Sequence, residues 1–368
     1  MKVPFLDLKT QYLSIKKDID REVLSTLKSS NYSLGPKVEF FEYNFKKYCN
    51  SKFAIGVNSG TSALHLALDS LDIGKGDEVI VPAMTFVATP MSVSYTGAKP
   101  VFVDTIYPSG LIDFNKIEEK ITSRTKAIIP VHLYGQCANL IEIRRIAKKY
   151  KLKIIEDASQ AHGSSYNNIS IGQISDVATF SFYPGKNLGA YGESGCVITN
   201  NKKINDKIIK LRNWGQSKKH YHDEISYNYR MDGIQGAVLN VKLKKMNEWI
   251  SKRRSVAEMY NKLIDKSLLK SSEDEGNYHV YHIYSIFLKE RNKLQDYLRS
   301  KNINTGNHYP VPCHLQKPYK SLGYKKNDFP QSEKIANRQI SLPIYPEIKI
   351  KMIKYVSAEI NKWISNIS

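Results

Sequence analysis

The strongest constraint on the fold is an alternation along the first two hundred or so residues. Short apolar runs, each long enough for one buried strand, are separated by stretches with helical spacing. Residues Phe53–Val57, 78–81, 100–103, 127–131, 154–157, 178–182 and 196–199 read as strands, with helical segments at 62–71 and Leu140–Tyr150 among them. Strands alternating with helices predict an α/β fold whose central sheet is mostly parallel and covered by helices. In such sheets ligands collect beyond the carboxyl ends of the strands, so the residues following each run are the ones to inspect.

Before this region, Ile15, Ile19, Val23 and Leu27 recur at helical spacing, and a second amphipathic stretch runs from Gly35-Pro36 to Cys49. After Asp232, Leu239, Leu243, Met246 and Ile250 form one long helical stripe with no strand close behind it. A boundary within that helix is expected, giving a large α/β domain at 1–240 and a smaller C-terminal α+β domain at 241–368. The smaller unit would hold a strand near 280–288 and helices near 293–301 and 349–364. A length of 368 residues agrees with two domains, being beyond the size at which one core stops growing.

Pro4 and Asp7 interrupt the stretch where a leader peptide needs continuous apolar residues, and no later run reaches membrane-span length. A soluble, cytoplasmic protein without a membrane partner is expected. Cys49, Cys137, Cys196 and Cys313 lack metal-type spacing, so reduced thiols and no structural metal are expected. The net charge of +20 would suit nucleic acid, but the basic residues are dispersed. A solvated basic surface that draws in anionic small molecules is the reading adopted, with no nucleic-acid partner.

Three segments carry chemistry. In NSGTSALHLAL, residues 58–68, a strand passes through Gly60, Thr61 and Ser62 into a helix, offering free N–H groups and hydroxyls to an anion. A plain helix cap would use the same residue types. In EDASQAHGSSY, residues 156–166, Asp157 falls at a strand end, where a carboxylate can hold a ring nitrogen cationic or simply cap a helix. Gln160 and His162 follow within contact range of the same place, although an isolated histidine is commonly structural. In ATFSFYPGKNLGAYGESG, residues 178–195, a buried strand runs into Pro184-Gly185 and presents Lys186, with Ser181 just before it. An anion-binding helix start, a strand-end Asp and a strand-end Lys in that order lift Lys186 out of the background of 55 basic residues.

With these segments the whole chain resembles the DegT/DnrJ/EryC1/StrS family of nucleotide-sugar aminotransferases, from VPFLDLKTQY near the N-terminus to HYPVPCHLQKPY near the C-terminus. The resemblance implies the fold-type-I pyridoxal-phosphate transferase fold (aspartate aminotransferase-like) and pyridoxal 5′-phosphate as cofactor. It implies Lys186 as the Schiff-base lysine and proton shuttle, Asp157 as partner of the pyridine nitrogen, Phe86 stacked on the ring and Gln160 near the ring oxygen. It further implies Gly60, Thr61, Ser62 and Ser181 at the phosphate, completed by Asn228 of a neighbouring subunit in a homodimer with shared active sites. His162, Tyr183, His308 and Tyr309 are the expected sugar-side residues, His162 also counting among the catalytic ones. VHLYGQCANLIEI and HYPVPCHLQKPYKSLGYKKNDFP look most like the branch acting on dTDP-linked 3-keto-6-deoxyhexoses, with L-glutamate as donor and 2-oxoglutarate as by-product. Lys186 argues against the dehydratase members, which carry histidine there. Ser194, Ser226 and Gly236 depart from the glycines and alanine common at those places in the family.

Overall fold

The computed structural model describes residues 1–366. Helix α1 (Leu8–Ser29) starts where the Asp7 carboxylate accepts from the Thr10 amide, and α2 (Pro36–Tyr48) starts on Pro36, whose missing N–H costs a helix nothing in its first turn. There follow β1 (Phe53–Val57), α3 (Gly60–Ser70), β2 (Glu78–Pro82), α4 (Ala88–Tyr95), β3 (Lys99–Val103) and β4 (Thr125–Ile128). After these come α5 (Leu140–Tyr150), β5 (Lys153–Asp157), β6 (Val177–Ser181) and β7 (Gly195–Thr199).

The seven strands form one sheet in the order β1-β7-β6-β5-β4-β2-β3. Every pair is parallel except the two that β7 makes, with β1 and with β6. The strands are covered on both faces, and Val79, Ile80 and Val81 are all fully buried. This is why they read as unbroken apolar runs rather than as alternating ones.

The reversal of β7 shapes the site. Its first residue, Gly195, pairs with both Val57 and Ser181, the last residues of β1 and β6. The chain leaving β1, the chain leaving β6 and the chain entering β7 therefore meet at one edge of the sheet. A Cβ on Gly195 would stand 2.3 Å from the Ser59 carbonyl oxygen, so only glycine allows this approach.

Beyond β7 lie α6 (Lys202–Leu211), α7 (Gly233–Leu243) and α8 (Met246–Leu263). The expected single helix through Leu239, Leu243, Met246 and Ile250 is thus two helices. They break at Lys244–Lys245, and the apolar stripe continues because the two halves bury consecutive faces. Residue 240 falls inside α7. A second sheet of three antiparallel strands, Leu269–Lys270, Tyr284–Phe287 and Gln339–Leu342, is flanked by α9 (Arg291–Ser300), α10 (Pro330–Arg338) and α11 (Ile350–Ser365). Its core joins Val256, Tyr260, Tyr284, Ile286, Leu294, Ile340, Val356 and Ile360, together with Val3 from the start of the chain. The expected strand near 280–288 is shorter than its apolar run. Val280–Ile283 is instead irregular chain, and Val280 and Ile283 donate their amides to the carbonyls of Gly135 and Tyr134 in the turn after β4.

Two of the three family departures fit their surroundings. A Cβ at Gly236 would lie 2.9 Å from the Lys37 carbonyl oxygen, where α7 crosses α2, and the Ser226 hydroxyl donates to the Leu211 carbonyl. Ser194 is fully buried and among the described residues its hydroxyl has no partner, a feature with no structural explanation.

No helix among the described residues is long and apolar enough to cross a membrane.

Candidate active site

A cavity of about 770 Å³ opens at the edge where β1, β5, β6 and β7 meet. One end is the start of α3. Ser59 caps this helix by accepting from the Ser62 amide at 3.0 Å, which leaves Gly60 and Thr61 on the cavity wall with Ser181. An ideal Cβ on Gly60 would lie 2.6 Å from the Ser181 Cβ, so the helix start sits directly on the end of β6. Unpaired first-turn amides and two hydroxyls make this a place for an anion. Ser62 does not join them. Its hydroxyl donates to Asn58 Oδ1 at 2.6 Å and lies 2.8 Å from the Ser59 hydroxyl, so it serves the cap rather than the cavity.

Asp157 ends β5 and is 5% exposed. Its Oδ2 accepts from the Thr89 hydroxyl at 2.7 Å and its Oδ1 from the Ser159 amide at 3.1 Å. The neighbouring Glu156 points to the opposite face of the strand. There it accepts from His132 Nε2 (2.8 Å), the Gly172 amide (2.9 Å) and the Ser175 hydroxyl (2.5 Å). His132 Nδ1 accepts from the Ala138 amide, so the ring's proton sits on Nε2 and faces Glu156. Of two adjacent carboxylates, one is sealed inside the core and the other lines the cavity.

Lys186 also lines the cavity, in a loop tied by its own amide to the Tyr183 carbonyl at 2.8 Å and by the Ala190 amide to the Phe182 carbonyl at 2.7 Å. Burial pushes its ammonium down to about 8 from an ordinary 10.5, and the Asp157 charge opposes the shift. Phe86 is 52% exposed, unusual for a phenylalanine, and its ring lies 5.5 Å from that of Tyr309 on the cavity wall. Gln160 reaches the wall with both ends engaged, its Oε1 accepting from the Tyr134 amide at 2.8 Å and its Nε2 donating to the Tyr309 hydroxyl at 2.9 Å. Tyr183 is half exposed at the rim. His308 packs on Phe5, and its Nδ1 is 2.7 Å from the Ser341 hydroxyl. Burial, then the Lys186 charge, push it down to about 4.

Besides Ser62, two expected site residues lie off the cavity of this chain: His162, and Asn228, which the resemblance gives to a neighbouring subunit. His162 is 1% exposed, off the cavity wall, with its ring between those of Phe180 and Phe182 at centroid distances of 5.4 and 5.6 Å. Burial, then the Lys186 ammonium, push it down to about 3, so at neutral pH its ring is neutral rather than an imidazolium. Asn228 is exposed, and its Oδ1 accepts from Arg230 Nε at 3.0 Å, away from the cavity of its own chain. The structure adds Thr89, Tyr134, Glu193, Arg253 and His282, which sequence reasoning missed. For Arg253 a signal existed, because it falls on the buried stripe of α8 with Trp249, Ile250, Val256, Ala257 and Tyr260.

These residues fit pyridoxal phosphate: the glycine-lined helix start suits its phosphate, the exposed Phe86 its ring face, and the oriented Asp157 its ring nitrogen, with an amine of lowered basicity close by. Fold and cavity together therefore assign the chain to the pyridoxal-phosphate transferases of the α/β type. More narrowly, the chain belongs to the DegT/DnrJ/EryC1/StrS aminotransferase family, whose model matches residues 13–361. It is a pyridoxal-phosphate-dependent sugar aminotransferase. It is 42% identical over 362 residues to the dTDP-3-amino-3,6-dideoxy-alpha-D-galactopyranose transaminase of Aneurinibacillus thermoaerophilus, covering 98% of this chain and 99% of that one. Over 364 residues it is likewise 42% identical to the protein named pleiotropic regulatory protein of Geobacillus stearothermophilus, with 98% of each covered. The crystal structure of S. venezuelae DesV in complex with a ketimine intermediate superimposes with a TM-score of 0.97 at 38% identity, again with 98% of each chain covered.

Proposed function

We propose that the enzyme moves an amino group from L-glutamate to the C3 keto group of a dTDP-linked 3-keto-6-deoxyhexose, giving a dTDP-3-amino-3,6-dideoxyhexose for a surface polysaccharide or glycoside. The observation that carries the site is the meeting of Lys186, Asp157, Phe86 and the α3 start around one cavity. The substrate choice rests on the likeness to the Aneurinibacillus transaminase.

Pyridoxal phosphate, when bound, supplies an electron sink for the carbon that loses or gains a proton. The protein does the rest. Lys186 Nζ is the covalent anchor and, once displaced, the base that carries the proton, a task for which a basicity lowered toward neutral pH suits it. Asp157, fixed by Thr89 and Ser159, sets a negative charge where the ring nitrogen is to stay cationic. Gly60, Thr61 and Ser181 hold the phosphate, while Tyr183, His308 and Tyr309 border the space for the sugar. Asn228, exposed and off its own cavity, is read as serving the cavity of a second copy, which makes the enzyme a homodimer with shared sites. The division into a cofactor-binding part at 1–240 and a smaller part at 241–368 is part of the same reading.

The test is a panel of dTDP- and UDP-linked 3-keto and 4-keto sugars offered with glutamate, with products analysed by mass spectrometry. Nitrogen retained at C3 of the dTDP sugar is the expected result. Preference for a UDP or 4-keto substrate would refute the substrate assignment, and release of water and ammonia without amination would refute transamination. Lys186→Ala protein that turned over at the normal rate would refute the role of Lys186.

A further inference from the structure

Arg253 is 3% exposed, lies on α8 and forms part of the cavity wall. Its Nη1 donates to three backbone carbonyls, those of Ile344 (3.0 Å), Tyr281 (3.2 Å) and His282 (3.5 Å). Among the described residues its Nε has no partner, its Nη2 makes no hydrogen bond and no carboxylate oxygen lies within salt-bridge reach. A guanidinium this deeply buried is normally paired with a carboxylate, because an unpaired charge is costly to desolvate. Burial lowers its basicity only to about 10, with Glu347 opposing the shift, so the charge persists at neutral pH.

The cavity narrows what the counter-charge can be. Among the described residues that one chain places on the wall, only Lys186 and Arg253 are lysine or arginine. Lys186 is committed to the cofactor, and the cofactor phosphate has the start of α3. The two cations are near each other, since both depress the basicity of the same two rings, His282 and His162. A donor amino acid must bring its amine to the carbon that Lys186 leaves, and its α-carboxylate lies one bond from the carbon bearing that amine. The Nε–Nη2 edge of a guanidinium is the fork that meets a carboxylate with two parallel N–H bonds.

We propose that Arg253 is the receptor for a carboxylate of the amino donor, and so the residue that selects an acidic amino acid for the first half of the reaction. The inference rests on the aminotransferase reading of the site. Held by three carbonyls on one nitrogen, the guanidinium is preorganised, so little is lost in fixing it when the donor arrives. The sugar ring that reacts is uncharged, the negative charge of a dTDP-linked ketosugar lying on the diphosphate at C1 rather than beside the C3 that is aminated, so the two half-reactions should depend on Arg253 unequally.

The experiment uses the holoenzyme and follows the visible cofactor band in single half-reactions, first with L-glutamate and then with the amino-sugar product. With Arg253→Gln, the second-order rate for glutamate is expected to fall on the order of a hundredfold or more, as for a site that loses the group it was built to bind. The amino-sugar half-reaction and the position of the band should stay close to wild type. In the wild-type enzyme, L-isoglutamine and L-glutamine remove the α- and γ-charge in turn. The amide that loses the hundredfold identifies the carboxylate held, and the Arg253→Gln protein should no longer distinguish that amide from glutamate. Equal loss in both half-reactions, or a glutamate rate within a few-fold of wild type, would overturn the proposal. If the variant does not fold, the wild-type comparison still decides, because both amides reacting as fast as glutamate would overturn it too. A wild-type protein with no visible band, or one that glutamate does not bleach, would instead bring down the aminotransferase reading itself.

Discussion

Lys186 should titrate near neutrality before any cofactor binds. Its ammonium is pushed down to about 8 by burial, against an ordinary 10.5. At pH 7 that leaves about 9% of the side chain as free amine, where an ordinary lysine has about 0.03%, a ratio of roughly 300. The apoprotein can be labelled competitively with a trace of acetic anhydride across pH 6–11, and acetylation measured by mass spectrometry on the peptide that carries Lys186. Reactivity at Lys186 should rise with a midpoint near 8, well below the ordinary 10.5 of a lysine. Asp157 provides the internal control. Its charge favours the ammonium, so Asp157→Asn should move the Lys186 midpoint further down. A wild-type midpoint at 10 or above, or an upward move in the variant, would refute the account of burial opposed by Asp157.

Three other perturbations test neighbouring parts of the argument. Thr89→Val removes the hydroxyl that Asp157 Oδ2 accepts from, a bond to a charged group worth about 1.5–3 kcal/mol, and should slow the glutamate half-reaction about tenfold with little change in melting temperature. Gly195→Ala would place a Cβ 2.3 Å from the Ser59 oxygen, so a loss of about 1–3 kcal/mol in urea unfolding and weaker cofactor binding are expected; wild-type stability would refute the tight approach. Lys242, fully buried with Nζ donating to the Gly189 carbonyl at 2.6 Å, is pushed down to about 7 from 10.5. Between those values the unfolded chain binds the proton that the folded chain has lost, so wild-type stability should rise with pH relative to Lys242→Met, by up to about 1.4 kcal/mol per pH step from 7 to 10. Parallel stability curves from chemical denaturation over that range would contradict this.

What the sequence made legible follows the physics of each element. Strands β2 to β6 were readable because a sheet covered on both faces demands unbroken apolar runs, and residues at the strand ends then point to the site. Lys186 and Asp157 became visible in this way, through position rather than residue type. The break at Lys244–Lys245 was not readable, since two successive helices burying consecutive faces leave the same stripe as one long helix. Ser62 and His162 lie off the cavity wall for a shared reason. A short motif identifies the groups available at a turn, but whether a hydroxyl caps its own helix or a ring turns inward is decided by partners such as Asn58, Phe180 and Phe182. Arg253 was hidden by composition, because Lys252-Arg253-Arg254 looks like solvated charge until its middle member is set against the apolar spacing of α8.

The histidines around the cavity explain how so basic a chain can keep a selective charge pattern there. His162, His282 and His308 lie close to Lys186, and each is pushed below its ordinary 6.5 first by burial and then by that ammonium. At neutral pH all three rings are therefore neutral. His282 illustrates the consequence: Asn187 uses its amide nitrogen on the Val280 carbonyl, so its Oδ1 accepts from His282 Nδ1–H and leaves Nε2 as an acceptor. The rings thus give the wall hydrogen-bonding groups without adding charge. Positive charge is confined to Lys186 and Arg253, and negative charge to Asp157 and Glu193. Had the imidazoles been charged, any anion would find an attractive wall and the position of a carboxylate would be poorly defined. With them neutral, and with Lys186 holding the cofactor as proposed, Arg253 is the one fixed cation left among the described residues that a single chain places on the wall.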